Sequence, residues 1–344
     1  MEKKQNTFER KVYLDFVKVV ALFCVMTIHF SAETTNMFTT GTLIFPAYFF
    51  DTAYLGSIGV TMFFIAAGAA AYLSNASNDQ FNVALYYKKR FWGIFPEFWI
   101  SWLIAIVVYL FVFQTLPLAE PWKLLLTLVG QDGYFLALGI VHSSFYIVSE
   151  WFLGCIIIIY LISPLLLVTM QKRVWIPIAI AFACVGICYL PFAPTWFSSS
   201  LFVLKRIPEF VAGMMFARFI NDPGFKCVLG GAVICAVSYA ARHLFLNAYY
   251  EIILSFGLFV FFSGVYRYIS NRPLEQIISH ISGRFYSLFL VHHFLIRCMA
   301  YRLNINTFGK KELAVLYLGY VFLSFICASL LDRLYAGMGR IFKS

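Results

Sequence analysis

Long apolar runs separated by short polar stretches make up most of the chain. A bilayer span needs about 20 mainly apolar residues. Ten segments meet that requirement: 12–31, 55–74, 91–114, 147–170, 174–191, 203–221, 226–245, 250–269, 283–303 and 312–335. One more run, 122–141, is broken at its centre by Gln131, Asp132 and Gly133. It is expected to be interfacial or re-entrant, because an eleventh span would invert every later loop. No repeat of about 20–50 residues and no low-complexity tract is evident.

Composition strengthens this picture. Of 344 residues, 62% are hydrophobic and only 12% charged, against roughly 45–50% and about 25% in soluble domains. One water-facing core cannot hide that much apolar surface, and disorder is excluded for the same reason. The expected class is an all-α integral membrane protein, a single domain over 1–344 containing a bundle of about ten transmembrane helices.

The net charge of +10 sets the orientation. With the N-terminus in the cytoplasm, the inner segments hold Lys3, Lys4, Arg10, Lys11, Lys88, Lys89, Arg90, Lys172, Arg173, Arg218, Lys226, Arg267, Arg272, Arg284, Arg333, Arg340 and Lys343. The outer segments hold the smaller set Lys123, Lys205, Arg206, Arg242, Arg297, Arg302, Lys310 and Lys311. Basic residues favour the cytoplasmic side, so both termini are expected there, and no nucleic-acid partner is expected. The first span carries Asp15 and Lys18 and is followed by Glu33, Thr34 and Thr35, unlike a cleaved signal peptide. The eight cysteines lie in or beside apolar runs without a CxxC spacing. They read as small apolar residues, with neither a disulfide framework nor a metal site.

Ionisable groups within spans cost about 2.5–3.5 kcal/mol each and usually face the protein interior. The first span holds Asp15, Lys18 and His29. At 100° per residue, Lys18 and His29 lie about 20° from registry and Asp15 about 40°, so the three share a face. Taken alone, Asp15 and Lys18 also read as a local i,i+3 ion pair. The second span, with Gly59, Gly68 and an alanine run, reads as a close-packing face. Lys88, Lys89 and Arg90 stand at the mouth of the third span, where they suit lipid headgroups or a phosphorylated ligand. Glu97, behind Pro96, needs a buried partner. Glu150 opens the fourth span at the depth of His29. Lys205 and Glu209 are spaced i,i+4 and are expected to pair. The ninth span contains Ser287, His292, His293 and Arg297. The adjacent histidines point about 100° apart, so at most one faces with Ser287, and His293 reads as a satisfied core residue. No P-loop, GxGxxG, HExxH or GxSxG occurs.

These pieces, taken in order, resemble the acyltransferase-3 family of integral membrane acyltransferases that modify bacterial surface polysaccharides. They are YLDFVKVVALFCVMTIH, GVTMFFIAAG, KKRFWGIFPEFW, SEWFLGCIIIIYLISPL, RIPEFVAGMMFAR and YSLFLVHHFLI. The family's first-span motif, an arginine and a histidine with ten residues between them, corresponds here to Lys18 and His29. Its R-x-x-R entering the third span corresponds to Arg90 and Gly93, and its SG to Ala67 and Gly68. Lys and Arg are not equivalent at a bidentate site. Lys88 or Lys89 is placed to supply the missing charge.

The resemblance implies transfer of an acyl group, usually acetyl, from cytoplasmic acyl-CoA to a hydroxyl of a surface polysaccharide or lipid-linked glycan. It places the protein in the bacterial cytoplasmic membrane, among membrane lipids. A homo-oligomer is compatible with it. His29 is the expected general base or acyl acceptor, since imidazole titrates near neutrality. Glu150 is expected to steer it or the acceptor. Asp15, Lys18, Lys89 and Arg90 are expected to bind the donor, with Ser287 and His292 lining the site. Acetyl-CoA would be a substrate; no bound cofactor and no metal is expected. The competing class is a non-enzymatic transporter or flippase of a lipid-linked glycan.

Overall fold

The computed structural model describes residues 11–36, 48–49, 53–75, 81–148, 150–244, 247–303, 305 and 308–341. The expected inner charges Lys3, Lys4, Arg10 and Lys343 lie outside them. Helices in chain order are α1 Val12–Asn36, α2 Leu55–Asn75, α3 Val83–Phe113, α4 Leu124–Leu128, α5 Asp132–Ala137, α6 Trp151–Lys172 and α7 Trp175–Ile187. They continue with α8 Val203–Phe219, α9 Phe225–Ala240, α10 Asn247–Ile269, α11 Arg272–Ser282, α12 Phe285–Arg302 and α13 Lys310–Ile341. The only described strands are a two-residue antiparallel pair, Tyr48↔Tyr54 and Phe49↔Ala53.

Each of the ten expected spans contains a helix. Six helices (α1, α2, α3, α6, α10 and α13) are long and apolar enough to cross a bilayer. The other four are shorter or more polar, α7 having 13 residues and α9 having 16. The broken run 122–141 forms a 3-10 turn followed by the short helices α4 and α5. The Asp132 carboxylate accepts the Thr127 hydroxyl at 2.9 Å and the Gly133 N–H at 2.8 Å. Burial pushes that carboxyl above its usual range, opposed by those two bonds.

Helix boundaries differ from expectation where a cap decides them. α3 begins eight residues before position 91 because Asn82 Oδ1 accepts the Leu85 N–H at 2.9 Å, an N-cap bond. Lys88, Lys89 and Arg90 are therefore helical. α6 begins at Trp151, which leaves Glu150 just ahead of its first turn.

Contacts group the chain into two compact units. The first comprises Met1–Ala21, Ser57–Tyr86 and Ile158–Ser282. Its helices meet backbone to backbone at glycines. A Cβ on Gly68 would lie 1.9 Å from the Phe210 carbonyl oxygen, and one on Gly213 would lie 1.8 Å from that of Ile65. α2 and α8 thus touch where the sequence places small residues, as membrane helices do. α9 and α10 meet the same way: a Cβ on Gly231 would lie 2.4 Å from the Phe261 nitrogen. Pro164 within α6 frees the Tyr160 carbonyl, which accepts the Ser163 hydroxyl at 3.0 Å.

The second unit comprises Leu22–Gly56, Tyr87–Ile157 and Gly283–Ser344. Within it the C-terminal half of α1 meets α13. Thr27 and Tyr317 hydroxyls are 2.8 Å apart, and Phe30 packs on the Tyr317 and Tyr320 rings at 5.2 and 5.8 Å. Pro96 frees the Trp92 carbonyl, and the Tyr335 hydroxyl of α13 donates to it at 2.8 Å. At Pro96 and Pro164 the gap in the backbone ladder is thus closed by a hydroxyl, as apolar surroundings require.

Candidate active site

The second unit gathers three histidines and two carboxylates. His29 and Glu33 lie one turn apart on α1, His292 and His293 are adjacent on α12, and Glu150 precedes α6. His29 Nδ1 is 3.0 Å from His292 Nε2. His293 Nε2 is 2.9 Å from Glu33 Oε1, and its Nδ1 bonds Glu150 Oε1. The Tyr146 hydroxyl donates to the same Glu150 oxygen at 2.8 Å. Burial and the adjacent Glu150 carboxylate push the Tyr146 phenol well above its ordinary range, so it remains a donor. The His29 ring stacks on His292 at 5.1 Å with planes 7° apart, and on His293 at 4.2 Å.

The network assigns the hydrogens. His292 is fully buried, and its Nδ1 faces the Leu288 and Phe289 carbonyl oxygens at 2.9 and 3.0 Å. Carbonyls only accept, so this nitrogen carries the hydrogen. In the neutral ring Nε2 then offers a lone pair, and His29 Nδ1–H donates to it. The neutral His29 tautomer fixed in this way has its own lone pair on Nε2. Such second-partner control of an imidazole is how proteins choose which nitrogen does chemistry. His293 has a carboxylate at each nitrogen, so donation from both satisfies both acceptors.

His29, Glu150 and His293 each offer one ligand atom, all within 4.8 Å of one another. Two imidazoles and a carboxylate suit a divalent transition ion. Because His293 Nδ1 already bonds Glu150, a cation would enter only by replacing that hydrogen bond.

The other sequence candidates fall elsewhere. Asp15 and Lys18 belong to the first unit, 4.0 Å apart, with side chains 13% and 26% exposed. Lys88 and Lys89 are exposed on α3 and Arg90 is half-buried. Ser287 is away from the histidines in hydrogen bonding: its hydroxyl contacts Glu97 and Asp332. Glu97 thus has the partner its burial demanded. Glu209 pairs with Arg206, not Lys205. Arg206 Nη1 is 2.6 Å from Glu209 Oε1, and Thr61 donates to that oxygen at 3.1 Å. The reason is placement on α8: Arg206 points inward with Glu209, whereas Lys205 lies over the Tyr189 ring at 5.3 Å. Beside them is a mostly apolar cavity of about 370 Å³, lined by Thr61, Tyr189, Lys205 and Arg206 among others.

Sequence reasoning missed Glu33, and it read His293 as a satisfied residue without finding the Glu33 and Glu150 carboxylates that satisfy it. Spacing carried a signal for Glu33, which is four residues after His29 and so on its face. For His293 the adjacent pair showed only that the rings diverge. Their neighbours on other helices decide that His292 is the buried ring and His293 the one between acids.

The acyltransferase domain family matches residues 11–333, nearly the whole chain. Acyltransferase MdmB of Streptomyces mycarofaciens is 27% identical over 215 residues, covering 55% of this chain and 54% of that protein. The shared region is thus about half the length of each. No solved structure matches the chain. With its apolar helices and this match, the chain belongs to the acyltransferase-3 family and is a multi-pass membrane protein.

Proposed function

We propose that the protein transfers an acyl group, acetyl being the simplest case, from acyl-CoA to a hydroxyl of a surface polysaccharide or lipid-linked glycan. His29 is the general base. The observation that carries this is the relay from the Leu288 and Phe289 carbonyls through His292 to His29, which leaves a lone pair on His29 Nε2. A sugar hydroxyl is a weak nucleophile at neutral pH, and a positioned imidazole accelerates such attack by about 10²–10⁴-fold.

In this reading Nε2 takes the hydroxyl proton as the oxygen attacks the thioester carbonyl, and the carbon–sulfur bond breaks to release the thiol. Glu33, Glu150 and Tyr146 hold His293 against the His29 ring and so fix its position. Lys89 and Arg90, in the second unit, are assigned to the donor's phosphates, which guanidinium and ammonium groups bind well. Trapping labelled acyl on the protein in the absence of acceptor would replace direct transfer with an acyl-imidazole route.

The cellular test is NMR of the surface glycan from strains carrying His29→Gln or His29→Ala at normal protein level. Acylation is expected to disappear. Unchanged acylation would remove His29 from the reaction.

A further inference from the structure

Three groups the histidine site does not use meet elsewhere in the second unit: Glu97 of α3, Ser287 of α12 and Asp332 of α13. Ser287 is 1% exposed and Glu97 8%. The Ser287 hydroxyl contacts both Glu97 Oε1 and Asp332 Oδ1. A hydroxyl has one hydrogen and can donate it to only one of the two. The other contact needs a hydrogen from the carboxyl side, so one of these acids is a carboxylic acid donating to the serine oxygen. Two carboxylates flanking one hydroxyl would repel each other and leave one contact without a hydrogen. Paired acids that share a proton are the known solution to such crowding.

The surrounding charges say which acid keeps it. Arg284, at the start of α12, has its Nε 3.7 Å from Asp332 Oδ2 and donates it to Ser329 at 3.0 Å. Its cation favours charge on Asp332, which leaves the proton on Glu97. Along α3, Arg90 precedes Glu97 by two turns, about 20° from registry. Between them Gly93 is exposed, and a Cβ there would meet nothing within 4 Å. One face of α3 therefore runs from a cation, past an open stretch, to an acid.

We propose that Glu97 and Asp332 share one proton through Ser287, and that Glu97 delivers it to the thiolate leaving the acyl donor. The delivery step rests on the acyl-transfer reading above; the shared proton does not. When the carbon–sulfur bond breaks, sulfur keeps the bonding pair. The Glu97 O–H gives its proton to that sulfur and becomes a carboxylate, while His29 holds the proton taken from the acceptor hydroxyl. His29 then releases that proton to water, and water recharges Glu97. One proton leaves a hydroxyl and one arrives on a thiol, so the reaction balances.

Two measurements on the purified full-length protein test this. Infrared spectroscopy at neutral pH is expected to show the carbonyl stretch of a buried protonated carboxyl, lost in Glu97→Gln and kept in Glu150→Gln. Absence of the band, or its survival in Glu97→Gln, overturns the shared proton. Glu97→Gln is then compared with wild type using acetyl-CoA and an acetyl thioester of an acidic aryl thiol, whose thiolate leaves without a proton. Transfer from acetyl-CoA is expected to fall about a hundredfold, in the range of lost acid catalysis, while transfer from the aryl thioester is spared. Equal loss with both donors assigns Glu97 a structural part and overturns the delivery step. A wild type that uses neither donor defeats the acyl-transfer reading and the delivery step with it, while the infrared result stands on its own.

Discussion

His292 shows how a residue that need touch no substrate can set the chemistry of one that does. Its Nδ1 is committed to two carbonyls, so its Nε2 can only accept, and His29 is held as the tautomer with a free Nε2. Replacing it by phenylalanine keeps a stacked ring and removes the acceptor. His292→Phe is expected to accumulate normally and to lose transfer by about 10²-fold or more, as when a misoriented imidazole tautomer disables a triad. Unchanged turnover would show that His29 is oriented by something else. The histidine–carboxylate set gives a second expectation. If hydrogen bonds alone hold His293 and Glu150 together, prolonged chelation leaves transfer unchanged. Loss on chelation with recovery on adding zinc would place an ion there. At this scale the sequence marked costly ionisable groups but not what they touch. His29, Glu97 and Glu150 stood out because an ionisable group in an apolar run is costly. The partner of each was hidden, because His292, His293, Ser287 and Asp332 are joined to them only when helices distant in sequence pack.

Helices were legible wherever an apolar run was long, and their ends were not. α3 starts at Val83 because of the Asn82 cap, a feature that hydropathy does not register. The glycines separate two kinds of small residue that look alike in sequence. Gly213 sits where a Cβ would lie 1.8 Å from a carbonyl oxygen, while at Gly93 nothing lies within 4 Å. Gly213→Ala must force α2 and α8 apart. It is expected to lower the unfolding temperature in detergent clearly, by at least the roughly 1–3 kcal/mol typical of overpacking. Gly93→Ala is expected to stay within about 0.5 kcal/mol of wild type, as open surface positions do. Equal effects would contradict the packing described. Arg206 and Glu209 are similarly unequal to their neighbour Lys205. Breaking their buried pair by Arg206→Ala leaves Glu209 without its cation, an arrangement that costs about 3–5 kcal/mol.

At the scale of the molecule, ten apolar segments and ten corresponding helices agree, but the lengths are uneven. α7 and α9, of 13 and 16 residues, extend only about 20 and 24 Å at 1.5 Å per residue. The hydrocarbon core is about 30 Å thick. Sequence counting assumed that each run fills the bilayer, and neither helix keeps its expected length: a turn leading to Pro191 and Pro194 follows Ile187, and a turn carrying Arg242 and His243 follows Ala240. Ten crossings remain the arrangement that the basic residues favour. Single cysteines at Asp222, before α9, and at His243, after it, are expected to react with an impermeant reagent from opposite faces, with Asp222 on the cytoplasmic side. Labelling from one face would mean that α9 does not cross.

The most direct measurement follows labelled acetyl from acetyl-CoA to an acceptor glycan, using purified wild-type and His29→Gln protein at equal folded amounts. Wild type is expected to move label to the glycan, with the variant at or near background. Equal transfer by both proteins would contradict the assignment of His29 Nε2 as the base that activates the acceptor.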